Sequence, residues 1–211
     1  MKKTNVLAAL PVLGLALALG GCGDDDSDGG GAQSRSSGFI TACYTVNQTV
    51  SFGLTSTGVP SGQVYANRST VGPMTYNGQA VTGQTFYYPS GGQVTSQTNY
   101  FIVTSGGITM GNTVVVNVDG STSVTPDGSF LPQNMSPGQT VNSTTDSNTF
   151  VGFETITLAG KTFYNTCHFK ALSTINGEGN AGSMDVWVAP GYLTVKEVSS
   201  TGMTEQYSGD L

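Results

Sequence analysis

Charge is what this sequence has least of. Lys, Arg, Asp and Glu together make up 9 % of its 211 residues, where a soluble domain carries about a quarter. After Lys3 the strong bases are Arg35, Arg68, Lys161, Lys170 and Lys196, and they do not cluster. Binding to a phosphate backbone needs clustered Lys and Arg, so nucleic acid is excluded as a partner. There is one histidine, His168, and one tryptophan, Trp187. A zinc site needs several ligands at set spacing, and the acids near His168 in sequence have none. No G-x-S-x-G elbow occurs anywhere, which removes the hydrolase motif that presents a serine on a strand-to-helix turn. No segment after Leu19 repeats its apolar residues every 3.6 positions, so long amphipathic helices are not expected.

The apolar run that does occur is short. After Met1-Lys2-Lys3, Val6 to Leu19 has no charge for fourteen residues. A bilayer crossing needs about 20, whereas the h-region of a signal peptide needs about 7 to 15. The run ends in Leu19-Gly20-Gly21-Cys22. These four residues resemble the lipobox of bacterial lipoproteins, an aliphatic residue and two small ones before a cysteine. The resemblance implies a diacylglyceryl thioether on Cys22, cleavage before it and acylation of the new amino terminus. Each buried methylene contributes about 0.8 kcal/mol, and one acyl chain alone holds only marginally, so two or three on one residue make an anchor. By resemblance to the enterobacterial sorting rule, Gly23 rather than Asp after the cysteine implies the outer membrane, facing the periplasm. The expected division is a signal peptide over 1–21, a lipidated cysteine and tether over 22–37, and one domain over 38–211.

The mature chain then has five strong bases against thirteen acids, a net charge of −8. Gly23 to Ser37 reads GDDDSDGGGAQSRSS; it has nothing to bury and is expected to be a flexible tether. Asp24, Asp26, Asp28 and Gly29 match half of a calcium loop, but Arg35 stands where the bidentate Glu belongs, so a solvated spacer is the expectation.

In place of charge the domain has Ser, Thr, Asn, Gln and Gly, with turn residues every eight to twelve positions and runs of Val, Ile, Thr, Tyr and Phe between them. That pattern predicts an all-β fold, a single antiparallel domain built as a twisted half-barrel or a sandwich. Strands are expected at Phe39–Thr55 with a break, Gln63–Ser69, Met74–Tyr76, Thr85–Tyr88, Asn99–Thr104, Ile108–Met110, Thr113–Val118, Ser121–Thr125, Phe150–Leu158, Lys161–Leu172, Met184–Ala189, Tyr192–Ser199 and Met203–Tyr207. Phe130 to Ser147 reads as a long connection and Asn176–Ser183 as a glycine-rich loop. Asp119-Gly120, Ala159-Gly160 and Pro190-Gly191 are the turn signals. With Cys22 acylated, Cys43 and Cys167 remain; in an oxidising compartment they read as a disulfide, with two buried free thiols as the alternative.

FVGFETITLAGKTFYNTCHFKA and MDVWVAPGYLTVKEVSSTG resemble a group of β-rich bacterial envelope lipoproteins that share an E-T hairpin and a later w-y-A-P-G-v-G-l-V-K hairpin. Glu154, Thr155, Gly160, Phe163, Ala189, Pro190, Gly191, Val195 and Lys196 match. Lys161 and Tyr192-Leu193 depart from the pattern. The likeness implies a twisted antiparallel sheet, akin to the half-barrels of lipoprotein-localisation carriers, and no particular chemistry.

Motifs that would carry chemistry fail on their spacing. Gly160-Lys161-Thr162 ends like a phosphate loop, but Thr155 stands at its first glycine and a strand follows instead of a helix. Cys167 and His168 are adjacent on a strand and so face opposite sides. Glu154, Asp185 and Glu197 could in principle pair for glycoside hydrolysis, yet they read as strand-face acids. Trp187 and Tyr192 flank the Pro190-Gly191 turn and could line a hydrophobic groove; ordinary core and cross-strand packing is the first expectation for them. No catalytic residue, metal or cofactor is expected. The readings, in order, are a non-enzymatic binding or assembly module for envelope proteins, a carrier of a hydrophobic ligand, and a hydrolase.

Overall fold

A computed structural model describes residues 39–211 apart from 60, 62, 144–145 and 174–181. The segments expected as signal peptide and tether, with Cys22, lie outside the described residues, as does most of the glycine-rich stretch. The described residues form one compact unit. It opens with a single helical turn, α1 (Ile40–Cys43), followed by β1 (Val50–Thr57), β2 (Arg68–Tyr76), β3 (Gln79–Tyr87), β4 (Val94–Thr104), β5 (Gly107–Asn117), β6 (Thr122–Thr125) and β7 (Phe130–Pro132). The second half comprises β8 (Thr140–Asn142), β9 (Asp146–Leu158), β10 (Lys161–Ser173), β11 (Ser183–Ala189), β12 (Leu193–Ser199) and β13 (Thr204–Asp210).

The fold is all-β, as the turn spacing predicts. The strands form one antiparallel sheet in the order β6-β5-β4-β3-β2-β1-β13-β12-β11-β10-β9-β8, with β7 beside β5. Each half is a meander of sequential neighbours, and the first and last strands join them. Among the described residues no strand connects β6 to β8, so the sheet is open. Its halves face each other across one core. Tyr44 shows this directly, with its ring 5.1 Å from Phe101 on β4 and 6.4 Å from Phe169 on β10. Phe52, Phe150, Ile108, Leu131 and Leu193 are fully buried around it, each stabilising the fold by roughly 1.5–3 kcal/mol.

A polar stitch crosses the same core. Thr194 lies beyond the last residue pair that β12 makes with β13, so its backbone lacks a strand partner on that side. Gln84 of β3, fully buried, fills the gap: its amide accepts from Thr194 N–H at 3.0 Å and donates to Thr194 C=O at 2.9 Å and to the Ser69 hydroxyl at 3.1 Å. On the outer face the hydroxyl-rich composition pairs with itself. Ser51–Thr70, Thr85–Thr98, Thr140–Thr149 and Thr157–Thr162 are direct cross-strand partners joined by hydrogen bonds of 2.8 to 3.1 Å.

Three local expectations are corrected. The chain from Phe39 begins with a helical turn, because Ile40 and Cys43, three residues apart, both enter the core. Gln63–Ser69 and Met74–Tyr76 give way to one strand, β2, running through Pro73. Its pairing with β1 ends at Val71, so the proline lies where no strand would need its missing N–H. The stretch from Phe130 to Ser147, read as a connection, contains the three-residue strands β7 and β8. The turns fall where expected. Ala159 and Gly160 have φ of 47° and 80°, as a type I′ hairpin requires. Tyr192 N–H closes the Pro190-Gly191 turn on Ala189 C=O at 3.0 Å.

Candidate functional site

Cys43 and Cys167 form a disulfide, with Cα atoms 6.1 Å apart. It ties α1 to the middle of β10. Two residues on, Thr45 C=O accepts a hydrogen bond of 3.1 Å from Gly191 N–H, and at Val50 the chain enters β1. The segment between Cys43 and Val50 is thus held at both ends and near its middle. Against the β11–β12 turn it encloses a cleft of about 630 Å³, with Ala42, Thr45, Asn47 and Gln48 on one wall and Pro190 to Tyr192 on the other. That volume is within the usual range for small-molecule sites, and such sites are largely preformed. Among the described residues no charged side chain lines it.

Tyr192 is the aromatic group of that cleft, and its position is set from behind. Its ring packs at 5.3 Å against Phe163 and 5.7 Å against Phe52. Lys161 Nζ lies 4.1 Å from the ring centroid and donates to the phenol oxygen. The phenol in turn donates to Asp210 at 3.0 Å, and Lys161 pairs with Asp210 at 2.7 Å. Partial burial works to lower the Lys161 ammonium, but its bonds to Asp210 and Tyr192 outweigh this and hold it above the usual lysine range. The Lys161 bond holds Asp210 below the usual carboxylate range.

Trp187 lies elsewhere and does not line this cleft. Strand alternation turns Val186 and Val188 inward, where they line a cavity of about 190 Å³, and leaves Trp187 on the outer face. There the register runs His168↔Trp187↔Lys196 across β10, β11 and β12. The His168 ring stacks on the indole at 4.2 Å and 15°, and Lys196 Nζ is 4.5 Å from the indole centroid on the β12 side. Both indole faces are therefore occupied. Glu154 of β9 accepts from Trp187 Nε1 at 2.8 Å and contacts His168 Nδ1 at 2.8 Å; Asp185 contacts His168 Nε2 at 2.9 Å. Burial pushes the Glu154 carboxyl up, but the Trp187 and His168 bonds outweigh it and hold it below the usual range.

This outer cluster joins four adjacent strands. Both ring nitrogens of its histidine are in contact with carboxylates, and no residue of the cluster lines either cavity. Among the described residues no three His, Cys, Asp or Glu side chains are grouped as a metal site needs. Of the three acids that could have supplied a hydrolytic pair, Glu154 and Asp185 flank His168 outside, while Glu197 lies on the inner face opposite Glu205. Sequence spacing around His168 could not show the cluster, because its members come together through strand register and not along the chain. The alternation of Asp185 and Trp187 with inward valines was the usable signal. No protein-family model matches this chain, and neither a curated protein nor a solved structure does.

Proposed function

We propose that this chain is a lipid-anchored protein of the bacterial envelope whose β domain is a non-enzymatic binding or assembly module. The observation that carries the reading is Leu19-Gly20-Gly21-Cys22 directly after an uncharged run too short to span a bilayer. The domain's chemistry is in keeping with it. Its histidine is engaged at both nitrogens, and its larger cleft offers amide, hydroxyl and aromatic groups without charge. The carrier reading is weaker. The cavity between the sheet halves is about 190 Å³ and is partly lined by Asn99, Thr113 and Asp127, whereas ligand pockets run from about 300 Å³ upward and are mainly apolar. Replacement of Cys22 by Ser in the producing cell tests the anchor. The expected result is release from membrane fractions and loss of labelled-palmitate incorporation; continued labelling of the variant would reject the reading.

A further inference from the structure

The last two strands hold a pair of carboxylates that take no part in the cleft or the outer cluster. Glu197 of β12 and Glu205 of β13 are direct cross-strand partners, which places their Cβ atoms about 5 Å apart. Both belong to the inner face. Glu197 follows buried Leu193 and Val195 at two-residue steps, and Glu205, itself 8 % exposed, precedes buried Tyr207. The surroundings offer little to balance charge. From β1 the Ser56 hydroxyl donates to Glu205 at 3.4 Å, the Ala66 backbone N–H donates to Glu205, and Tyr88 stands near both acids. On its other side Glu197 faces Val186 of β11. Lys196, next in sequence, points to the opposite face over Trp187. No cation therefore faces the pair among the described residues.

The location gives the pair leverage. β12 and β13 are joined by three residue pairs, Lys196↔Gln206, Glu197↔Glu205 and Val198↔Thr204, and the acids are the middle one. β13 is also the strand through which the second half of the sheet reaches β1, with six pairs on that side. Beyond Lys196 the β12–β13 pairing stops, and Thr194 turns to Gln84. Two like charges side by side in a poorly solvated place cannot both ionise cheaply. We propose that Glu197 and Glu205 form a proton-operated latch on the β12–β13 seam, closed while the pair retains a proton and loosened when both carboxylates ionise. β12 begins one residue after Tyr192, so the strand under the latch also anchors a wall of the cleft.

Burial raises both carboxyls from an ordinary value near 4.5 to about 7, with Glu197 adding to the shift at Glu205. Tyr88 beside them is pushed up to about 12, by burial first and by the two acids next. Because the folded values exceed the unfolded ones, the folded state binds more protons between about pH 4.5 and 7. The stabilisation is full below that window and is lost as pH rises through it.

Amide hydrogen exchange of the purified full chain at pH 5.5 and 8.5, corrected for intrinsic exchange, tests the latch. Peptides covering 193–198 and 204–210 should lose protection at least about tenfold at the higher pH, the equivalent of one pKa unit of linkage. Glu197→Gln, which keeps the shape and removes one charge, should abolish most of that loss. Glu205→Gln should do the same, and serves as the second variant because Glu205 also holds the Ser56 and Ala66 bonds. A loss confined to β9 to β11 and unchanged in Glu197→Gln would place the response outside the β12–β13 seam and overturn the proposal. Protection of β12 and β13 that does not vary with pH in the natural chain, or varies equally in Glu197→Gln, would overturn the proposal.

Discussion

The two halves of the sheet are built from different chemistry. From Phe39 to Gln139 the charged residues are Arg68, Asp119 and Asp127; from Thr140 to Leu211 there are ten, together with the single histidine. The first half is held by its core and by neutral hydroxyl and amide pairs on its faces. The second carries the His168 cluster, the Lys161–Asp210 pair and the Glu197–Glu205 pair. Core burial and neutral hydrogen bonds respond little to pH or salt, whereas paired charges respond to both. The same sheet thus joins an inert half to a responsive one, and the links between the halves are where the difference can be measured.

The strongest link is the disulfide, which closes a separation of 124 residues between α1 and β10. Loop-closure entropy sets its contribution at about 5 kcal/mol before native strain is subtracted. The double variant Cys43→Ser with Cys167→Ser should lower the stability measured by denaturant unfolding by nearly that amount, with the larger loss of exchange protection in α1 and the segment to Val50. A loss below about 1 kcal/mol would mean that the β1–β13 pairing and the core hold the halves together without it.

Next is the Gln84 stitch. In Gln84→Leu the backbone N–H and C=O of Thr194 lose their partner, and unmatched buried groups cost about 1–3 kcal/mol each. The expected loss is about 3 kcal/mol, since leucine returns part of it by apolar burial. Gln79→Leu, at an exposed position of the same strand, should change stability by less than about 0.5 kcal/mol. Equal effects at the two sites would show that the halves are not joined by that amide.

Trp187→Ala tests the outer face of the responsive half. The indole is partly buried between His168 and Lys196, so the loss should be about 2 kcal/mol, short of the 3–5 of a core aromatic. A value under about 1 kcal/mol would detach the cluster from stability and leave the indole as a surface group.

Much of this architecture was legible in the sequence, and what was not has a common cause. Period-two alternation and turn dipeptides located nearly every strand, because they are local consequences of pleat geometry and of backbone conformations that Gly, Asn and Pro favour. The same alternation accounts for Val188, Leu193 and Val195 being buried. Asn77-Gly78, with φ of 49° and 77°, is as strong a hairpin signal as Asp119-Gly120, and reading it would have started β3 at Gln79 instead of Thr85. Register between distant strands was the illegible part. It brings Lys161 to Asp210 across 49 positions and Gln84 to Thr194 across 110. It also separates Trp187 from Tyr192, neighbours of one turn, by sending one to the outer face and the other to the cleft.

The smallest effect is the most direct comparison, because each half sets a cation over the aromatic ring of its direct cross-strand partner. Arg68 lies 4.2 Å from the Tyr87 centroid in the first half, and Lys196 lies 4.5 Å from the Trp187 centroid in the second. The distances are nearly equal, so any difference in coupling must come from the surroundings. Arg68 is exposed, and both partners must be ordered to make the contact, which offsets much of the attraction. The Trp187 ring is already fixed, by the bond from its Nε1 to Glu154 and by the stacked His168, so Lys196 meets a preorganised surface. Double-mutant cycles to alanine should give a coupling of about 0.5 kcal/mol or less for Arg68–Tyr87 and about 1 kcal/mol for Lys196–Trp187. Removing Glu154 should bring the second value down toward the first, because the indole then loses the bond that holds it. Couplings that are equal with Glu154 in place would break the contrast between the halves at its most sensitive point.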